Sequence, residues 1–92
     1  MPQDYLRSVA YPARFHREQA PTWLGAVAAA LGHRAPGGVD SRWCEIGCGQ
    51  GFGAAILAAA NPRMRFTGID VNPDHIAMAR TRAEMAGLDN LQ

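Results

Sequence analysis

The stretch Trp43-Cys44-Glu45-Ile46-Gly47-Cys48-Gly49-Gln50-Gly51 decides the fold, together with Gly68-Ile69-Asp70 about one helix and one strand later. Glu45 stands two positions before a run of alternating glycines, and Asp70 closes the next apolar run. Gly47, Gly49 and Gly51 remove Cβ atoms where a ligand must touch backbone, and they permit φ values that other residues avoid. An acid ahead of a glycine-rich turn, with a second acid ending the following strand, is the grip of a nucleoside-binding βαβ unit. Ligands of open parallel sheets bind outside the carboxyl ends of the strands, so Glu45 and Asp70 are expected to face one crevice.

The surrounding pattern supplies the rest of that unit. Arg42 to Ile46 reads as a short strand, apolar on both sides until the acid, as parallel strands covered on both faces do. Gly53 to Ala60 reads as a helix stopped by Asn61-Pro62, because proline disfavours helix at the residue before it. Met64 to Ile69 is a second strand. Asn72-Pro73-Asp74 starts a further helix with a cap, a first-turn proline and an acid at the positive end of the dipole. Ile76, Ala79, Ala83 and Ala86 give it one apolar stripe, and Gly87 closes it. Upstream, Pro2, Pro12 and Pro21 punctuate an irregular arm with a helical turn near Phe15 to Gln19. Thr22 to Leu31 is a helix capped by Thr22 and stopped by Gly32, and Ala35-Pro36-Gly37-Gly38 is a turn or linker. Strand, helix, strand, helix is the order of a parallel α/β sheet.

Composition narrows the functional classes. The 92 residues are 48% hydrophobic and 18% charged, with a net charge of +1 and no lysine. That balance fits a globular chain and gives no electrostatic case for nucleic acid or an anionic membrane. The longest apolar stretch, Ala54 to Ala60, is far short of the ~20 residues of a membrane span. The first residues lack the basic and hydrophobic regions of a secretory signal. Cys44 and Cys48, four apart on or just beyond one strand, would be ~13 Å apart at ~3.3 Å per residue, beyond the ~7 Å limit of a disulfide. They read as buried thiols in a reducing, cytoplasmic setting. No metal-ligand spacing occurs, and His16, His33 and His75 read as isolated solvated or structural residues. Trp23, Trp43 and Phe66 are expected in the core. One complete βαβ unit is short for this class of fold. The chain therefore reads as an N-terminal fragment, unable to bury a full core alone.

The chemistry of the two acids fits S-adenosylmethionine (SAM), which carries an ammonium, a sulfonium and a ribose diol. Glu45 can offset the positive charges. Asp70 can accept hydrogen bonds from the ribose hydroxyls, and charge-assisted bonds are roughly twice as strong as neutral ones. Free N–H groups where the glycine turn enters its helix suit the methionine carboxylate, and Val71 suits an adenine face. A dinucleotide site is the rival, since Gly49-x-Gly51-x-x-Ala54 matches its fingerprint and Asp70 lies near the ~20-residue offset. Against it, Glu45 would crowd a pyrophosphate and Gly47 would have no role. A Walker phosphate loop is excluded by the absence of Gly-Lys-Ser/Thr. Structural roles compete at both acids: Glu45 as a turn cap, and Asp70 as a cap of the Asn72-Pro73 turn.

Residues 42 to 92 resemble class I SAM-dependent methyltransferases. Glu45-Ile-Gly-Cys-Gly-Gln-Gly-Phe-Gly53, Ala58-Ala-Ala-Asn-Pro62 and Asp70-Val-Asn-Pro-Asp-His-Ile76 are similar to bacterial members that carry a methyltransferase regulatory domain downstream. Tyr11-Pro12, Phe15, Glu18 and Pro21 are similar to their N-terminal arm. The resemblance implies a Rossmann-like parallel sheet of class I type, incomplete here: the first βαβα portion with an N-terminal helical arm. It divides the chain into an arm and helix (1–38) and the N-terminal half of a SAM-binding domain (39–92). It implies SAM as cofactor, held by Glu45, Gly47, Cys48, Gly49, Gly51, Asp70 and Val71. Some members methylate protein lysines, so a protein or a small molecule is the expected acceptor. No catalytic base is identifiable, and the chain alone is expected to be inactive. Two other classes stay open: the nucleotide half of an NAD(P)-dependent oxidoreductase, and a non-catalytic assembly module. An unpaired sheet edge makes a homodimer a further expectation.

Overall fold

Two parallel strands carry the motif residues: β1 (Arg42–Ile46) pairs with β2 (Arg65–Ile69), setting Trp43 opposite Phe66 and Glu45 opposite Gly68. The structure, a computed structural model, describes residues 14–34 and 40–92. Beside β2, Leu91 forms an isolated parallel bridge to Phe66. Its bonds run from Phe66 N–H to the Asn90 carbonyl (2.7 Å), Gln92 N–H to Phe66 (3.0 Å) and Gly68 N–H to Gln92 (2.8 Å). The sheet thus has two strands, and the bridge at Leu91 lies on the edge of β2 away from β1. Helices α1 (Pro21–Ala30), α2 (Phe52–Ala60) and α3 (Pro73–Met85) complete the unit, preceded by a short 3-10 turn at Arg17–Gln19. This is the first βαβα portion of a Rossmann-like sheet, as the sequence implies.

One face of the sheet carries the core. Phe66 is 1% exposed and packs with Leu57, Ala58 and Met64, flanked by Ala20, Trp43, Leu88 and Leu91. The Trp43 and Phe66 rings meet at 5.3 Å in a tilted arrangement, the geometry aromatic pairs favour. Asn90 locks this core at its base. Its amide Nδ2 donates to the carbonyls of Ala58, Asn61 and Met64, each at 3.0 Å. One side chain thereby ties the end of α2 to the start of β2 and to the segment that bridges it at Leu91.

Several expectations need correction. The first helix begins at Pro21 with Ala20 as its N-cap and no side-chain cap bond, so Thr22 lies inside it. Proline at the first helical position has its φ preset and no N–H to satisfy, which moves the start forward. Leu31 is the C-cap of that helix. The second helix starts at Phe52, one residue early. Met64 is buried ahead of β2, its N–H bonded to the Asn61 carbonyl in a turn (3.1 Å). The expected coverage on both faces is absent among the described residues: β1 alternates, and Ile46 is 86% exposed. Cys44 shares that bare face and is an exposed thiol; both cysteines are free. Trp23 is exposed, with Arg17 stacked 5.2 Å from its ring centroid. The stripe of α3 holds at Ile76, Ala79 and Ala83, but Ala86 is the exposed C-cap. Tyr11 and the turn at 35–38 lie outside the described residues.

Removing the Asn90 amide leaves three carbonyls without their shared donor, a cost of ~1–3 kcal/mol. Asn90→Ala in the intact protein is expected to lower unfolding free energy by about that amount in urea titrations. Asn90→Asp, which sets a carboxylate against three carbonyls, is expected to cost more. An Asp variant as stable as wild type would contradict this lock.

Candidate functional site

The turn after β1 is stitched to the end of β2. Gly47 N–H and Cys48 N–H both donate to the Ile69 carbonyl, at 2.6 and 2.9 Å. One residue further, the Asp70 carboxylate divides its oxygens: Oδ2 accepts from Gly49 N–H and Oδ1 from Asn72 N–H, each at 2.8 Å. Asn72, 1% exposed, then caps α3 by accepting from Asp74 N–H (2.9 Å) and His75 N–H (3.3 Å). A single carboxylate thus fixes both strand-to-helix turns relative to one another.

The glycines divide by role. Gly47 and Gly49 have φ of +80° and +58°, and the space a Cβ would enter at either is open. Gly51 has φ +72°, and a Cβ there would stand 2.8 Å from the Cβ of Ala79. It is the glycine that lets α2 approach α3. Gly68 makes room in the same way for the Cys48 sulfur, 2.8 Å from the position of its absent Cβ.

These elements enclose a cleft of about 740 Å³, bordered by Glu45, Gly47, Cys48, Gly49, Asp70 and Val71. Six of the seven sequence-designated residues therefore meet in one cavity, within the size range of small-molecule sites. Gly51 is the exception; it is buried at the α2–α3 contact. Asp70 also caps the turn to Asn72, so the structural role weighed from sequence is present alongside its place in the cleft.

Part of the site was not singled out from the sequence. Arg14, His16 and Gln19 border the cleft from the arm, as do Phe52, Gly53 and His75. The arm is held there by Trp43, whose indole Nε1 donates to the Gln19 carbonyl at 3.0 Å. No local pattern in the sequence reveals that the segment Arg14 to Gln19 returns to the glycine turn at Gly47 to Gly51. His75 carried a signal, since it lies in the first turn after the Asn72 cap at the strand's carboxyl end. Phe52 is packed by Arg82, whose guanidinium lies 5.3 Å from its ring centroid.

Burial holds the Glu45 carboxyl above its ordinary value of 4.5, against the opposing effects of a hydrogen bond with the Gln19 side chain and of His16. Burial also raises the Cys48 thiol, and the negative charges of Asp70 and Glu45 add to it. A thiol shifted in that direction stays protonated at neutral pH and is a poor nucleophile. The first turn of α2 has no side-chain cap, so its free N–H groups stand beside Phe52 and Gly53 at the cleft. No group of side chains that could hold a metal occurs among the described residues, and no helix there is long and apolar enough to cross a membrane.

Residues 39–92 match a family described as a methyltransferase domain. Over 90 residues the chain is 33% identical to the uncharacterized protein sll1526 of Synechocystis sp., covering 97% of this chain and 18% of that protein. It is 43% identical over 51 residues to a fatty-acid O-methyltransferase of Mycolicibacterium smegmatis, 55% of this chain and 19% of the relative. The fold superposes on PKMT2 from Rickettsia typhi, solved in complex with AdoHcy, with a TM-score of 0.84 at 22% identity, covering 89% of this chain and 16% of that one. The chain thus spans about a fifth of the length of the curated relatives it matches.

A carboxyl whose folded-state pKa lies above its unfolded value supports the fold in acid, and that contribution is lost as pH rises through the raised pKa. Glu45→Gln mimics the neutral form at every pH. Thermal melts of the unliganded protein are therefore expected to coincide for wild type and variant below the ordinary carboxylate value of 4.5. Toward pH 7 the variant is expected to become the more stable. A variant less stable than wild type at neutral pH would show that the ionised carboxylate holds the empty site together.

Proposed function

Because this chain belongs to the methyltransferase-domain family matched over residues 39–92, we propose that it forms the SAM grip of a SAM-dependent methyltransferase. The observation that carries the reading is the Asp70 carboxylate, fixed by two backbone N–H groups in the same cleft as Glu45. Each Asp70 oxygen uses one acceptor site on the backbone and keeps another for a ribose hydroxyl. Glu45 faces the ammonium, directly or through water. Its raised pKa expresses the cost of an ionised carboxylate that lacks a full cation partner, and a bound ammonium offsets that cost. Gly47 and Gly49 leave the turn free of side chains along the ligand's path, and Val71, 75% exposed at the rim, offers an apolar face to adenine. When bound, SAM supplies a methyl group on a sulfonium, open to in-line displacement. The chain's residues orient it, and orientation accounts for a large part of the rate in such transfers.

The dinucleotide reading fits this site less well. Gly51, the second glycine of that fingerprint, packs against Ala79 instead of opening to the cleft. Two carboxylates beside a pyrophosphate add like-charge repulsion. We assign the acceptor to either a protein side chain or a small molecule; the fatty-acid O-methyltransferase relative shows that one similar protein takes a small molecule. A cytoplasmic setting suits the two free thiols.

Calorimetry of the intact protein with SAM and with NAD tests the assignment: SAM is expected to bind and NAD is not. Asp70→Ala is expected to weaken SAM by ~2–3 kcal/mol, the scale of lost hydrogen bonds to a charged group. An unchanged dissociation constant would remove Asp70 from the ligand. Gly49→Val is expected to abolish most SAM affinity with the far-UV dichroism of the sheet and helices retained. A folded variant with full affinity would mean that the turn does not touch the cofactor.

A further inference from the structure

The charges around the cleft are unequal. Two carboxylates, Glu45 and Asp70, border it, and Arg14 is the one Arg or Lys that does so among the described residues. SAM presents the complement: two cationic centres, the ammonium and the sulfonium, and one anion, the α-carboxylate. Arg14 enters no ion pair among the described residues, so neither acid neutralises it in the unliganded site.

Its position is set by contacts, not by charge. Trp43 anchors the arm through the Gln19 carbonyl at 3.0 Å. At the other side of the arm, the Arg14 carbonyl and Gln19 Oε1 lie 4.0 and 3.7 Å from where a Cβ on Gly53 would stand. Arg14 is therefore carried to the first turn of α2, the uncapped helix end whose N–H groups and dipole also favour an anion. A side chain on Gly53 would hold the arm off that helix end.

Resting on the SAM reading above, we propose that Arg14 is the anchor for the α-carboxylate of the cofactor's methionine moiety, so that the arm forms one wall of the cofactor site and sets its specificity for the amino-acid tail. A guanidinium is always charged and can meet a carboxylate with two parallel N–H bonds. The helix N-terminus assists from the opposite direction. Gln19 links the two ends of the amino-acid tail, since its side chain bonds Glu45 while its backbone holds the arm.

The test compares SAM with decarboxylated SAM, which keeps the ammonium, the sulfonium and the ribose, by calorimetry on the intact protein. Wild type is expected to bind SAM about tenfold or more tighter than the decarboxylated form, the scale of a hydrogen bond to a charged group. Arg14→Ala is expected to lose that preference, weakening SAM by about tenfold or more while shifting the decarboxylated form by less than about twofold. Arg14→Lys, which keeps the charge without the fork, is expected to fall between. Circular dichroism checks that the variants are folded. Loss of both ligands in equal measure in folded Arg14→Ala, or a preference that survives the substitution, would overturn the assignment. A wild-type protein that prefers neither form would overturn it without any variant. Failure to bind either ligand would instead overturn the SAM reading itself, and the anchor with it.

Discussion

Everything at this site depends on one carboxylate with two backbone partners. Asp70 spans from Gly49 N–H to Asn72 N–H, so the turn after β1 and the turn after β2 cannot move independently. Charge-assisted bonds of this kind are stronger than neutral ones, and each removes a donor that would otherwise stay unsatisfied at a helix entry. The carboxylate is therefore oriented before any ligand arrives. Preorganised groups of this sort bind without the ordering cost that a mobile side chain incurs.

The remaining local devices support that arrangement. Gly51 lets α2 sit close on α3, Gly68 admits the Cys48 sulfur, and the buried Asn72 begins α3 two residues after the acid. Each is a place where a larger or differently shaped residue would push apart the two turns that Asp70 joins. The Trp43–Gln19 bond extends the same logic to the arm. A strand residue whose ring packs on the core also holds the segment that carries Arg14, so core packing and the geometry of the cleft share a side chain.

Much of this was legible in the sequence, for identifiable reasons. The span of β1, the Asn72 cap, the stop signals at Gly32 and Gly87 and the meeting of Glu45 with Asp70 follow from short-range rules: periodicity, capping and turn chemistry. The structure departs from these rules where tertiary context decides. Thr22 has the chemistry of a cap, but Pro21 beside it fixes the helix start first. Trp23 and Cys44 looked buried because large or apolar side chains usually are, yet they occupy faces left open among the described residues. Gly51 differs from Gly47 and Gly49 in what a Cβ would meet, Ala79 at 2.8 Å against open space, and alternation alone does not show which way each glycine faces. Arg14, His16 and Gln19 carry no local mark, since only the return of the chain brings them to the cleft beside Glu45 and Asp70.

On the proposed reading, Asp70 serves the ligand and the two turns at once. A crystal structure of the intact protein with S-adenosylhomocysteine tests it most directly. Both ribose hydroxyls are expected within hydrogen-bond distance of the Asp70 carboxylate, at ~2.5–3.0 Å, with its bonds to Gly49 N–H and Asn72 N–H kept. A ligand seated elsewhere, or an Asp70 that abandons either turn to reach the ribose, would contradict it.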